Sequence, residues 1–355
     1  QFTADGTRNR ISDGGGTVSS TPVATDAAGN ATSPAWTLGK SAVPQSLRAF
    51  IGGIGANVSA TISSSYTVDV RFFGPPMSPA VSAAFTAAAA RIRGAVTGDV
   101  PDIPAFVPGV DLAAGCGTPG LPTAFSEVVD DIVVFAAVAP IDGPNKVLAF
   151  SGPCGIRGNS GSVNRQTFIG VMQFDTDDID SLAAKGNLTD VIQHEMLHTV
   201  GIGTLWSTYG LLADAGTPTT RFTGALGIGA CISLGGSAVC PNSVPVENSG
   251  GSGTADGHWR EQIFQTELMT GFVTAPPPGQ TGILNPFSTI SIQSLADLGY
   301  VVNPAAADTY IIPGQSASRF LGIQSNVEQT PWEHVVRPKL QVSGGRLSKI
   351  PVSMQ

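Results

Sequence analysis

Charge is scarce in this chain. Only 12% of its 355 residues are Asp, Glu, Lys or Arg, about half the usual share. The balance that exists is acidic, with a net charge of −8 at pH 7, which argues against the basic surface that nucleic-acid binding needs. No apolar run reaches the ~18 residues of a membrane-spanning helix. The longest core-like run, Ile132 to Ile141, is far shorter. Cysteine is limited to Cys116, Cys154, Cys231 and Cys240, and none of them forms a CxxC pair, which argues against a cysteine zinc site. Two disulfides fit better. Three pairings are open, and the local one, Cys116–Cys154 with Cys231–Cys240, brackets two Gly/Pro-rich excursions. Each bridge would contribute roughly 2–4 kcal/mol. Lysine is sparse beside abundant Thr, Ser, Gly and Ala, the composition expected of a secreted or cell-surface protein. The chain opens mid-pattern at Gln1-Phe2-Thr3, as expected of a mature or excised fragment.

What is present favours turns and short strands. The chain holds 44 glycines and 26 prolines, about a fifth of its residues, beside an apolar fraction of 42% that suffices for a sizeable core. Residues 1–64 read as short strands at Thr17–Thr25, Ala31–Leu38, Gln45–Ile51 and Asn57–Ile62, with a turn at Ala27-Ala28-Gly29-Asn30. The stretch from Gly14-Gly15-Gly16-Thr17-Val18 through Ala35-Trp36-Thr37-Leu38-Gly39 resembles the bacterial Ig-like repeats of surface adhesins. Such a sandwich needs about seven strands in ~100 residues, so a partial Ig-like module is expected here.

The pattern changes near Tyr66. Tyr66–Phe72 alternates as a strand, and Pro79–Val96 is an alanine-rich amphipathic helix with Ser78 as its N-cap. Core strands are expected at Asp131–Val138, Lys146–Phe150 and Gln166–Phe174. The acidic turn that follows, with Asp175, Asp177, Asp178 and Asp180, offers oxygen ligands of the kind that bind Ca²⁺. It reads more readily as a solvated, helix-capping turn. Asn187 can cap a helix over Leu188–Val200, which Gly201 and Gly203 end. Residues 204–257 form a long Gly/Ser/Pro-rich insertion, of the kind that is functional or stapled. Helices near Trp259–Thr266 and Ile290–Leu298 follow. The tail from 314 to 355 has no assignable fold.

Histidine is the informative residue. There are four, and two of them stand in His194-Glu195-Met196-Leu197-His198. On a helix, positions i and i+4 share one face a turn apart, so two imidazoles converge on one cation while Glu195 reaches a water on it. A catalytic zinc takes three protein ligands and keeps one position open. In the metzincin pattern HExxHxxGxxH the third ligand falls six residues after the second histidine. Gly201 is in place, but that position is Thr204. The thermolysin alternative uses a downstream glutamate, with Glu247 and Glu261 as candidates.

The segments His194–Gly203, His258-Trp259-Arg260-Glu261 and Glu267-Leu268-Met269 resemble the leishmanolysin-type metzincins. In that family an insertion separates the glycine from the third histidine. The resemblance spans Tyr66 to about Pro313. It implies His258 as third zinc ligand and Met269 as the methionine of the tight turn beneath the metal. His258 is also the histidine left by position, since His334 lies in the unassigned tail. Trp259 reads as a packing residue.

The expectation is an α+β metzincin-like catalytic domain over 65–313, with a twisted sheet and active-site helix above an irregular lower half. A partial Ig-like sandwich over 1–64 precedes it. The function expected is a secreted zinc-dependent endopeptidase, with Zn²⁺ held by His194, His198 and His258. Glu195 serves as base and then acid while a zinc-bound water attacks the peptide carbonyl. Substrates would be proteins or peptides, with surface or matrix targets engaged through the Ig-like module. By analogy with metzincins, an extended substrate would pair with an edge strand at Gln166–Phe174. Two rivals stand beside this reading: an inactive adhesin-like binding protein on the same scaffold, which the intact Glu195 argues against, and the thermolysin-type enzyme.

Overall fold

A computed structural model describes residues 2–5, 17–18, 23–33, 35–38, 45–51, 54–60, 65–144, 146–158, 165–251, 253–272, 284–313, 333–343 and 346–351. In the first 64 residues, β1 (Phe2–Asp5), β4 (Gln45–Ile51) and β5 (Ile54–Ala60) form an antiparallel sheet in the order β1-β4-β5. Two further short strands, β2 (Thr17–Val18) and β3 (Trp36–Thr37), pair with each other. The expected strand at 17–25 lies partly outside the described residues, as does the end of the one expected at 57–62. Among the described residues of 31–38, only Trp36 and Thr37 form a strand.

A mixed sheet organises the rest of the chain. Its strands are β6 (Val68–Phe72), β7 (Ile132–Val138), β8 (Ala149–Arg157) and β9 (Thr167–Phe174), joined by β13 (His334–Val335), β14 (Leu340–Ser343) and β15 (Arg346–Lys349). The order is β15-β14-β8-β9-β7-β6, with β13 also on β8. Strands β6, β7 and β9 are parallel, and β8 runs antiparallel to β9. Both faces of the sheet are covered, so its inner strands read as continuous apolar runs. In β7, Ile132, Val134 and Ala136 face one core, while Val133 and Phe135 face a second one with Phe106, Phe125 and Phe168.

The first core lies under α1 (Pro79–Ala95) and α4 (Leu188–Val200). Ser78 caps α1 by accepting from Val81 N–H. In α4 every residue from Val191 to Val200 is buried, as befits a helix enclosed on all sides. It packs on α1, β8 and β9, and Gly170 of β9 leaves room for Thr199. Asn187 precedes α4, but its side chain makes no capping hydrogen bond, because its backbone turns away from the extended N-cap conformation. Its own amide atoms are buried without hydrogen-bond partners.

Two short helices complete the upper half. These are α2 (Leu112–Cys116) and α3 (Thr176–Lys185). Asp175 caps α3 through Asp177 N–H and accepts from the backbone of Ile141, Asp142 and Gly143. Burial works against its charge, and these backbone donors hold its pKa below the usual value. The acidic turn is therefore a capping turn.

The long insertion is folded. It contains a small sheet of β10 (Leu212–Ala213), β11 (Arg221–Phe222) and β12 (Val244–Pro245), and the helix α5 (Ala225–Ser233). The disulfide Cys231–Cys240 staples it, and Cys116–Cys154 ties α2 to β8. Beyond it, α6 covers only Glu261–Phe264, since Trp259 is taken up in bridges to Val246 and Thr270. The helix α7 (Thr289–Asp297), capped by Ser288, packs against α5.

One expectation needs correcting. Gln166–Phe174 cannot offer an edge to a substrate, because β9 is flanked by β7 and β8. The strand next to the outer pairing is β8, and it extends well beyond the expected Phe150 to Arg157. The tail, to which the sequence assigns no fold, joins this sheet. The described part of the tail supplies β13, β14 and β15 to it.

Candidate metal centre

Helix α4 carries His194 and His198 one turn apart, with ring centroids separated by 4.8 Å. The chain then turns sharply. Gly201 takes φ +132° and donates its N–H to Leu197 O, and Gly203 takes φ +73°. A Cβ on Gly203 would collide with the Gly257 carbonyl, so this glycine lets the α4 exit lie directly on the segment that brings in His258. Thr204, where a compact metzincin motif would have its histidine, instead donates its hydroxyl to His198 O at 2.7 Å.

His258 joins the pair from the far end of the insertion. Its backbone carbonyl accepts from Glu247 N–H, and Trp259 N–H donates to Met269 O. Trp259 is a packing residue, buried against Trp206, Phe222 and Phe264, with its indole N–H on Ser291 Oγ.

The three rings are oriented by the main chain. His194 Nδ1 lies 2.6 Å from Leu268 O, His198 Nδ1 2.8 Å from Ile202 O, and His258 Nδ1 2.8 Å from Thr254 O. A carbonyl only accepts, so each Nδ1 carries the proton and each Nε2 presents a lone pair. Those Nε2 atoms lie 3.1, 3.1 and 2.9 Å from one another. Three lone pairs aimed at one point repel unless a cation lies among them. Two nitrogens bound to one tetrahedral zinc at ~2.0–2.1 Å would be about 3.3–3.4 Å apart, which the triangle matches within a few tenths of an ångström. The donor set therefore fits zinc.

A fourth donor completes the cluster, and sequence reasoning missed it. Glu333, in the tail, is buried with its carboxylate against all three rings. Oε2 is 3.1 Å from His194 Nε2 and 3.6 Å from His198 Nε2, and Oε1 contacts His258 Nε2. His194, His198, His258 and Glu333 form a buried group able to hold a metal ion. Glu333 stands in an aperiodic tail and no motif marks it. Glu247 and Glu261 lie outside this group. Glu247 accepts from the backbone of Asn248, Ser249 and Glu261.

Electrostatics follow from burial. Burial pushes His198 down to about 4, which keeps the ring neutral. For His194 burial acts the same way, but the Glu333 carboxylate outweighs it and the pKa rises. Burial raises the pKa of Glu333, and attraction to positive charge at the three rings more than reverses this, holding it well below the usual carboxylate range. Glu195 is also buried, with Oε2 unpartnered, and burial together with the Glu333 charge pushes its pKa well above normal.

Beneath the cluster, Glu267-Leu268-Met269-Thr270 forms a tight turn closed by Thr270 N–H on Glu267 O. Met269 is fully buried there. The Glu267 carboxylate accepts from Met269 N–H, from Ser288 N–H and hydroxyl, and from Ser291 hydroxyl. This buried glutamate thus fixes the turn whose Leu268 carbonyl orients His194.

No curated protein matches this chain. The family model described as leishmanolysin matches residues 103–215, about a third of the chain. That stretch includes β7, β8, β9 and the whole of α4, but not His258, Met269 or Glu333. Together with the buried cluster, the match supports a leishmanolysin-like metallopeptidase.

Proposed function

We propose that this protein is a zinc-dependent endopeptidase acting outside the cell, with His194, His198 and His258 as zinc ligands and Glu195 as its catalytic acid–base. The observation that carries this reading is the convergence of three Nε2 lone pairs, each fixed by a main-chain carbonyl on its Nδ1. When bound, zinc supplies Lewis acidity, polarising a carbonyl and acidifying water. The protein's own part is positional and protonic. The buried Glu195 takes a proton from the attacking water and returns it to the leaving amine, which completes cleavage of the amide. Met269 is the methionine of the turn that supports the centre.

The two disulfides agree with an oxidising, extracellular setting. Among the described residues no helix is long and apolar enough to cross a membrane. The N-terminal strands are read as part of an Ig-like module that engages surface or matrix targets, on the repeat-like residues of 14–39. The test is metal analysis of the purified protein beside a peptide-library digest with and without chelator. About one zinc per chain, lost on His198→Ala and on His258→Ala, is expected. A protein that takes up no zinc would overturn the proposal. Full zinc retention by His258→Ala would remove that histidine from the ligand set.

A further inference from the structure

Three donors of the centre come from the helix and the insertion, and the fourth comes from the tail. Glu333 does not arrive there by a loose excursion. Immediately after it, β13 lies parallel on β8, with His334 opposite Phe150 and Val335 opposite Ser151. Val336 N–H donates to Ser151 O at 2.6 Å, and Lys339 N–H donates to Cys154 O at 2.9 Å. Strand β14 continues the pairing from Leu340 opposite Gly155 to Val342 opposite Arg157.

The rest of the protein is shaped to receive this segment. A Cβ on Gly152 would collide with the Val336 carbonyl, and a Cβ on Gly253 with the Glu333 carbonyl. Glycine at both places lets the tail backbone pass between β8 and the insertion. Two cations hold it down. Arg337 Nη1 donates to Gly203 O and Thr204 O at 3.0 and 3.1 Å, on the turn just after His198. Lys339 Nζ donates to Cys116 O at 2.7 Å.

Two consequences follow. First, four protein donors make a closed centre, whereas a catalytic zinc keeps one position for water or substrate. A carboxylate buried against three Nε2 atoms needs positive charge between them, and with the ring protons held at Nδ1 by main-chain carbonyls a shared metal ion supplies it, so its placement points to a ligand and not to a packing side chain. Second, an extended peptide gains main-chain hydrogen bonds by adding to a sheet edge. The edge of β8 beside the centre is taken up by the protein's own tail.

We infer that Glu333 is a fourth protein ligand of the centre, and that residues 333–343 are an intrachain strap which a peptide substrate must displace from both the metal and the β8 edge. This rests on the zinc-peptidase reading above. The strap folds back from the same chain, so displacement competes with a contact held at high effective concentration. The closed form is therefore the resting form.

The experiment compares the full-length chain with Glu333→Gln, which keeps shape and removes charge, and with Val336→Pro, which deletes the bond to Ser151 O. Three readouts are taken: zinc affinity by chelator competition, the visible spectrum of the cobalt(II)-substituted protein, and amide exchange over residues 150–157. A fourth is hydrolysis of a peptide library. Loss of a ligand should cost at least as much as loss of an outer partner, on the order of 10–100-fold in affinity. Glu333→Gln should show that loss and an altered cobalt spectrum. Val336→Pro should exchange faster over 150–157, and both variants should hydrolyse peptides at least about tenfold faster than the parent chain. Unchanged zinc affinity and cobalt spectrum in Glu333→Gln overturn the ligand assignment. A changed spectrum with no gain in hydrolysis by either variant overturns the strap. A parent chain that takes up no zinc overturns the peptidase reading itself, so the two failures are told apart.

Discussion

Replacing Glu267 by Gln tests whether the turn beneath the centre is tuned for metal or merely buried. The carboxylate accepts four hydrogen bonds, and Oε2 is committed to Met269 N–H at 2.6 Å. Oε1 takes Ser288 N–H at 3.2 Å and the hydroxyls of Ser288 and Ser291 at 2.7 and 2.6 Å. A glutamine amide supplies one oxygen and one NH₂. With its oxygen kept toward the serines, its NH₂ meets the Met269 N–H, donor against donor. That strands a buried backbone N–H and removes a charge-assisted bond, together worth about 2–4 kcal/mol of folding stability.

The effect should not stop at stability. Met269 follows Leu268, whose carbonyl holds His194 Nδ1 at 2.6 Å. Loosening the turn frees that ring to rotate, and loss of such an outer partner costs on the order of 10–100-fold in metal affinity. Urea unfolding of the metal-free protein reads the first quantity, and zinc titration against a chromophoric chelator reads the second. A variant less stable but unchanged in zinc affinity would show that Glu267 is only a core staple. A variant unchanged in both would refute the chain of contacts from Glu267 to His194.

Other outcomes follow from the same geometry. Glu195→Ala should retain zinc and lose peptide hydrolysis by several orders of magnitude; hydrolysis at the parent rate would remove Glu195 from the mechanism. Gly203→Ala forces a left-handed φ on a residue with a Cβ, costing roughly 1–2 kcal/mol before the collision with Gly257, and should lower both melting temperature and zinc content. Burial pushes Glu261 up to about 7, so the folded state binds that proton more tightly than the unfolded chain. Its contribution to stability is fully present below the ordinary carboxylate pKa of about 4.3 and is lost as pH rises through about 7. The parent melting curve should therefore fall relative to that of Glu261→Gln between about pH 4.5 and 7, and a pH-independent difference would contradict it. Chelation should lower the melting temperature of the metal-loaded protein, which differential scanning calorimetry reads directly.

The sequence was most informative where periodicity and chemistry coincide. His194 and His198 at i and i+4 mark a convergent histidine pair without further help, and both are buried in α4. The core strand β7 and helix α1 were equally legible, the strand as a continuous apolar run and the helix by its capped, alanine-rich amphipathic pattern. Other features lacked a local signal. The β8–β9 pairing is antiparallel inside a largely parallel group, and nothing in Gln166–Phe174 distinguishes a central strand from an edge. Asn187 has the composition of a cap but not the backbone conformation. Glu333 sits in a tail whose strands are two to four residues long, too short for periodicity to register.

Main-chain groups explain this division. All three histidine tautomers are set by backbone carbonyls, at Leu268, Ile202 and Thr254, and any residue type supplies a carbonyl. The histidines are therefore visible as side chains while their orienters are not. What sequence does record is the room those contacts need. Gly203 admits Gly257, Gly152 admits Val336 and Gly253 admits Glu333, and each marks a place where two distant segments pass with no space for a Cβ. Two of those three crossings serve the tail. A fold whose tail merely finished the sheet would need β14 against β8, but not a glycine in the insertion that clears a path for Glu333. The Gly253 crossing thus links tail placement to the centre, and Gly253→Ala should release Glu333 while leaving β14 paired.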